Sequence, residues 1–471
     1  MPEATTSSTD TELDLESLAA DVVAQAMKAG ASDAEAVVRE GDEFSVNVRM
    51  GEVETLKESG SRGLGLRVLL GKAAAAGLRS ASASTSDLTA DGIRQLVDGA
   101  MALVKVTEED PFTGLPETSE FGALSGDLHL YFDDVYSLEG AGRIELARRA
   151  EAAALAADPR ITNSDGGSFD AGTGRMVLAN SRGFVGGYRT SHAGVSAAPL
   201  AKDANGQMQR DGWWSSARRL ADLESPESIG KEAARRALRR LGARRVPTQR
   251  VPIVFAPEVA RSLIGSVFEA ASGDSIWRSA SFLADKLGER IAAPNLTIVD
   301  DHTMALKSGA GGFGTSPFDG EGLPSQRTVV VEEGMLRSYL LNTYTARKLG
   351  LKSTHNASRG LAGTPGIGCG NLYLEPGTHT PDEIIRDVQA GLYVTSLMGF
   401  GTNIVTGDYS RGATGLWIEN GQLTHAVEEV TIAGNLAEML MNVTAVGDDL
   451  VFRGAVASPT LRIDGMTVAG A

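Results

Sequence analysis

The six histidines, at 129, 192, 302, 355, 379 and 425, never fall three or four positions apart. No single helical turn can therefore present an imidazole pair to a metal ion, and a cation site would have to be assembled from residues distant in sequence. The one cysteine, Cys369, sits in Gly366-Ile-Gly-Cys-Gly370. It can form neither an internal disulfide nor a multi-thiolate zinc site, which fits a reducing compartment. As a nucleophile it would need a thiolate and a base such as His355 or His379; as a structural residue it would be a small buried side chain in a Gly-rich turn. Neither Gly-x-Ser-x-Gly nor Gly-x-x-x-x-Gly-Lys-Ser/Thr occurs. Asp300-Asp301, Glu332-Glu333 and Asp448-Asp449 are adjacent carboxylates, so on a strand the two members of a pair point to opposite faces.

Peptide handling is the chemistry left. Glycines at 399, 401, 407, 412 and 415 leave backbone open to close approach, and an extended peptide can add to such an edge as another strand. Asn403, Asp408, Tyr409 and Arg411 could orient it. The competing reading is that the glycines serve turns and the polar groups satisfy them.

The elements that must hold these residues follow from periodicity and punctuation. A helix is expected over Leu13–Ala29 with Gly30 as its stop, then strands Ala34–Arg39, Phe44–Arg49, Gly51–Leu56, Gly65–Leu70 and Ala73–Ser80 as an antiparallel meander. Asp87 caps a helix to about Val104, Asp110-Pro111 opens a loop to Leu124, and Leu138–Ala157 is helical. Short strands fill 161–214. Ser225 to Gly242 carries an N-cap, Pro at the first helical position, an early acid, late arginines and a terminal Gly, and reads as a helix bridging two halves. A strand at Val251–Phe255 precedes a helix opened by Pro257. Hairpins are expected at Glu332-Glu333-Gly334 and Asn420-Gly421. The fold class is α+β: a disordered tail over 1–12, an N-terminal domain of helices on antiparallel sheet (13–222), a bridging helix and linker (223–248) and a β-rich C-terminal domain with a few helices (249–471).

Apolar residues are 42% and charged residues 22%, which is the composition of a packed globular protein, and 471 residues are too many for one core. A net charge of −16 repels a long phosphate backbone, so no direct nucleic-acid contact is expected. The arginines at 235, 236, 239, 240, 244 and 245 form either a local basic patch or a solvated helix end. No signal-peptide pattern and no run of 18 apolar residues appears, so neither export nor a membrane span is expected and the location is cytoplasmic.

Gln326-Arg327, Val331-Glu-Glu-Gly-Met-Leu336, Asn403 to Asp408 and Val427-Glu-Glu-Val-Thr-Ile-Ala-Gly-Asn435 resemble the TldD/PmbA (TldE) family, and the likeness runs over nearly the whole chain. In that family a TldD-type subunit holds zinc through a helical His-Glu-x-x-x-His and a late cysteine. Aligned on Gly273-Asp274, the corresponding positions here are Ile264, Gly265 and Glu269, and Gly447 to Leu461 contains no cysteine. The resemblance is therefore to the PmbA/TldE side. It implies a heterodimer with a TldD-type subunit, no catalytic residue and no cofactor in this chain, zinc in the partner, and a chamber in which unfolded peptides are cleaved. A stand-alone peptide-binding or scaffolding homo-oligomer, a homodimer when the partner is absent, and a Cys369-dependent hydrolase are the alternatives. The family's older names invoke a DNA topoisomerase, which the acidic balance makes an indirect connection at most.

Overall fold

Met50 and Gly51 both take positive φ (51° and 83°) and turn the first long strand into the second. The computed structural model describes residues 14–72 and 77–470. The tail expected over 1–12 lies outside the described residues, as does the start of the strand expected at Ala73–Ser80.

The N-terminal elements are α1 (Leu15–Lys28), β1 (Asp33–Arg49), β2 (Glu52–Lys72), β3 (Gly77–Thr85), α2 (Ala90–Val104), α3 (Gly140–Leu155), β4 (Ile161–Asn180), β5 (Val185–Lys202), β6 (Met208–Arg210), β7 (Trp213–Ala217) and α4 (Pro226–Leu238). The strands make one antiparallel sheet in the order β3-β2-β1-β4-β5-β6, with β7 also on β5. The four short strands expected between Ala34 and Leu70 are thus two long ones. The polar stretches that read as loops are the solvated middles of continuous strands, because antiparallel ladders tolerate a wet face.

Register explains how four helices cover one sheet. β1 pairs with β4 without a break from Glu35 to Val48, so the residues of even number share a face. Ala34, Ala36 and Val38 pack under α1 and α2, while Phe44, Val46 and Val48 pack under α3 and α4. The helix expected as a bridge is capped by Ser225 as its sequence indicates. Its Ile229, Ala233, Ala234 and Ala237 nevertheless bury in the same cluster as Ala147, Ala150 and Ala154 of α3. Gly230 permits that contact, since a Cβ there would stand 2.2 Å from the Ala150 carbonyl oxygen. α2 is capped by Thr89 rather than Asp87, whose carboxylate instead accepts from the Thr89 N–H.

The C-terminal elements are β8 (Gln249–Phe255), α5 (Pro257–Ala271), α6 (Gly273–Trp277), β9 (Ile298–Asp301), β10 (Arg327–Glu332), β11 (Met335–Leu336), α7 (Thr343–Leu349), β12 (Ala357–Ser358), β13 (Gly366–Ile367), β14 (Asn371–Leu374), α8 (Pro381–Arg386), β15 (Ala390–Met398), β16 (Asp408–Glu419), β17 (Gln422–Asn435), α9 (Leu436–Met441), β18 (Val443–Val446), β19 (Val456–Ala457) and β20 (Leu461–Ala469). One sheet runs β17-β16-β15-β8-β20-β18, and a further β17–β20 pairing closes five of its strands into a ring. A second sheet runs β11-β10-β9-β14-β19. Both expected hairpins form, with positive φ at Glu333-Gly334 and at Asn420-Gly421.

The odd face of β1 docks on this second domain. Val37 and Leu178 pack with Phe184 and Phe318. Glu35, fully buried, accepts at Oε1 from Arg67 Nη1 (2.6 Å) and from Arg359 Nη2 (2.9 Å). The loop from Ser358 to Gly366 lies on β2 and β3: Ser82 Oγ of β3 donates to the Gly363 carbonyl at 3.1 Å, and a Cβ on Gly65 of β2 would meet the Leu361 carbonyl oxygen at 1.6 Å. Gly65→Ala should therefore separate the loop from the sheet and cost about 1–3 kcal/mol. Thermal denaturation with limited proteolysis checks this: the expected outcome is a lower midpoint with early cleavage between Ser358 and Gly366, and unchanged values would refute the docking.

Candidate functional site

Helix α5 begins at Pro257, whose missing N–H and fixed φ suit the first helical position. Its inner face, Val259, Ala260, Leu263, Ile264, Val267 and Ala270, belongs to the C-terminal core. Ile264 is therefore a packing residue, 1% exposed. Gly265 and Glu269 lie one turn apart on the outer face; a Cβ on Gly265 would meet nothing within 4 Å, and Glu269 is exposed. One solvated carboxylate, a glycine and a buried isoleucine do not fit a zinc ion, which needs at least three N, O or S donors in place. Among the described residues no group of three or more His, Cys, Asp or Glu is placed to hold a metal.

The buried polar chemistry lies elsewhere, in a cavity of about 290 Å³ where the odd face of the first sheet meets the second domain. Arg39 of β1, Met176 of β4 and Tyr188 of β5 wall one side; His302, Asp319, Arg359 and Cys369 wall the other. Asp300, at the end of β9 and wholly buried, accepts from Asn356 Nδ2 (2.6 Å) and the Gly370 N–H (2.8 Å) and lies 3.1 Å from His302 Nε2. Burial opposes charge on His302, but the Asp300 hydrogen bond and charge prevail and raise its pKa. Asp319 and Glu321 are neighbours on one turn. Burial pushes Asp319 up to about 6, against three backbone N–H donors, and pushes Glu321 up to about 7 with the charge of Asp319 adding to it. The two titrate as a pair that keeps a proton near neutrality.

Adjacent carboxylates do point to opposite faces here: Asp300 is buried while Asp301 turns to its own loop and accepts from Thr303. That Asp300 would meet Asn356 and His302 was not legible, because 54 and 56 residues separate Asn356 from them. Cys369 lines the cavity with the Gly370 backbone packed on the His302 ring. Burial, with Asp300 nearby, pushes its thiol up to about 12, the opposite of what a nucleophile needs. The bases considered for it are occupied or distant: His355 Nδ1 is 2.6 Å from the Pro324 carbonyl oxygen, and His379 is an exposed residue bridged to Gly447.

The loop of candidate substrate residues joins β15 to β16. Asn403 Oδ1 accepts from the Val405 N–H at 2.9 Å, and Asp408 accepts from Thr406 Oγ1 at 2.7 Å, so both side chains brace their own turn. Gly401 has no room for a Cβ, which would stand 1.5 Å from the Ser410 carbonyl oxygen. Tyr409 is 2% exposed in the ring core, and burial pushes its hydroxyl up to about 12, the Arg411 guanidinium beside it acting the other way. Gly399, at positive φ, lifts out a tip bearing Phe400, fully exposed between Met398 and Val405. The apolar tip was the feature the sequence did not single out.

The acid pair and His302 carry a pH dependence. Their folded-state pKa values lie above the ordinary ones, so between about pH 4 and 7 the folded chain binds more protons than the unfolded chain. Stability should fall as pH rises through that window and go on falling until His302 and Glu321 have lost their protons. Glu35, whose pKa is lowered because Arg359 and Arg67 outweigh its burial, acts only below that range. Thermal denaturation at constant ionic strength should give a higher midpoint at pH 5.5 than at pH 8, with Glu321→Gln flattening the slope; an opposite slope would refute the assignment.

Comparison with known proteins places this geometry. Three family profiles match in succession: PmbA/TldA metallopeptidase domain 1 at residues 34–104, the central domain at 133–241 and the C-terminal domain at 248–470. The central-domain match includes α4. The chain is 38% identical over 94% of both chains to metalloprotease PmbA of Escherichia coli O157:H7, and 36% identical, again over 94% of both, to a metalloprotease PmbA homologue of Haemophilus influenzae. A Bacteroides thetaiotaomicron crystal structure, described in terms of modulation of DNA gyrase, superposes with a TM-score of 0.88 at 27% identity, covering 98% of this chain and 100% of that one. TldE from Thermococcus kodakarensis shares the fold, with a TM-score of 0.81 at 20% identity over 96% of this chain and 100% of that one. The matched domains span both halves of the molecule, the C-terminal match including α5, and the chain belongs to the PmbA/TldD metallopeptidase family, on its PmbA side.

Proposed function

We propose that this chain is the metal-free subunit of a two-chain peptidase, in which a TldD-type partner supplies zinc and water activation while this subunit shapes the chamber and holds unfolded peptide. The observation that carries it is the pair of faces on α5: an intact inner face that keeps the family fold, and an outer face on which Gly265 and Glu269 leave no donor set. A helix that packs without presenting ligands is what a shape-giving subunit requires. The raised Cys369 thiol argues against a hydrolase built on that residue. The exposed tip at Met398, Phe400 and Val405 suits contact with an extended peptide. A cytoplasmic setting agrees with the single free cysteine. Among the described residues no helix is long and apolar enough to cross a membrane.

The test is to purify the chain alone and with a TldD-type partner and to assay an unfolded peptide. The lone chain should be inactive with or without added zinc, and the pair should hydrolyse the peptide in a chelator-sensitive way. Glu269→Ala in this chain should change the pair's kcat/KM by less than about twofold, since no reacting atom depends on it. Chelator-sensitive hydrolysis by the lone chain would overturn the reading, and so would a tenfold loss in the Glu269 variant.

A further inference from the structure

A second cavity, also about 290 Å³, lies between α4, α5 and β7, against the outer face of α5. Five arginines line it, Arg235, Arg236, Arg239, Arg261 and Arg453, against three acids, Glu232, Glu258 and Asp449. The acids are already engaged. Glu232 binds Arg235 through two hydrogen bonds of 2.7 Å, Glu258 accepts from Arg236 at 2.5 Å, and Asp449 accepts from the Thr460 N–H and hydroxyl. Arg453 is satisfied from outside the cavity wall by Glu224 at 2.8 Å. Arg239 and Arg261 are left with no carboxylate at ion-pair distance among the described residues; Arg261 donates only to the Glu258 carbonyl. Behind the wall Asp211 also pairs with Arg236 at 3.6 Å, so the cations left without a carboxylate partner are Arg239 and Arg261.

Its donors are incomplete as well. Nε and Nη2 of Arg239 are buried with no acceptor, while Arg236, only 6% exposed, has an Asp211 carboxylate oxygen 3.6 Å from its Nε. Burial and then the charges of Arg236 and Arg235 lower the Arg239 pKa, so the guanidinium is held where it is electrostatically unfavourable. Unmet buried donors cost more than the hydrogen bond they would make, and guanidinium forks match a carboxylate in two places at once. Beside them the wall is apolar: Trp213 lies 4.6 Å from the Arg236 guanidinium and 5.6 Å from the Trp214 ring, and Val451 is half exposed at the edge.

We infer that this cavity receives the free C-terminal carboxylate of a peptide, with Arg239 and Arg261 taking the anion and the Trp213–Trp214 wall taking the last side chain. The choice of a peptide over another carboxylate rests on the peptidase reading, because each cleavage leaves a new carboxylate end. Arg261 and Gly265 are one turn apart on α5, so a peptide end bound here would lie along the outer face of that helix.

The experiment uses the full chain without a partner. Ala-Ala-Leu as the free acid and as the C-terminal amide are titrated against tryptophan fluorescence and by calorimetry, with inorganic phosphate as competitor. The acid should bind at least about tenfold more tightly than the amide. Arg239→Met should remove that preference without lowering the thermal midpoint, since it deletes a half-buried cation that has no carboxylate partner, and Arg239→Lys should restore part of it. Should Arg239→Met fail to fold, Val451→Trp at the exposed mouth decides by blocking the acid. Equal binding of acid and amide, no binding of either at 10 mM, or displacement by equimolar phosphate, which marks a general anion site, would overturn the proposal. Hydrolysis by the reconstituted pair is scored separately: an active pair whose chain shows no acid preference sinks the cavity assignment alone, and an inactive pair with the preference intact sinks the subunit reading alone.

Discussion

Glu35, held between Arg67 and Arg359 with no access to water, is the interaction on which the arrangement of the two domains depends. A buried carboxylate is tolerable only when its charge is matched and hydrogen-bonded, and here one cation comes from the same sheet and the other from the opposite domain. Removal of either arginine would leave a charge stranded where it cannot be hydrated. The trio acts less as a source of net stability than as a register pin: it forces the odd face of β1 onto the second domain and so closes the cavity that Asp319 and His302 line.

That cavity and the arginine-rich one differ in how they resolve buried charge. Around Asp319 and Glu321 the excess is acidic, and retained protons relieve it, since carboxyls can become neutral at modest cost. Around Arg239 and Arg261 two guanidiniums lack a carboxylate partner, and a guanidinium cannot shed its proton near neutral pH, so an anion from outside would relieve them. The same physical problem yields a self-contained network in one place and an open demand for an anion in the other.

Helix α5 shows how a fold and a chemistry come apart. Its inner residues are specified by packing against the ring of strands, and any apolar side chain of suitable volume maintains them. Its outer residues answer only to what approaches the surface. Ile264 sits on the first face and Gly265 with Glu269 on the second, so a change at the outer positions need not disturb the inner packing.

Much of this was legible from residue order alone. The helix signals around Ser225-Pro226 and Pro257, the Asn420-Gly421 turn, the α+β class and the missing donors on α5 are local properties, set by backbone preferences and by which side chains are present. Strand continuity was not legible across 40–64, because a solvated strand middle and a loop have the same polar composition. Nor was the placement of α4, whose buried stripe could have served a bridge or a domain core. The sites were decided by tertiary structure. His302 reaches Asn356, Glu35 reaches Arg359, and Trp213 comes under Arg236 and Arg453, through contacts spanning 23 to 324 positions. Sequence order determined which elements form and which side chains each of them carries. Only chain packing, governed by the burial of the two sheet faces, determined which charges lost their water and therefore which cavities have something left to bind.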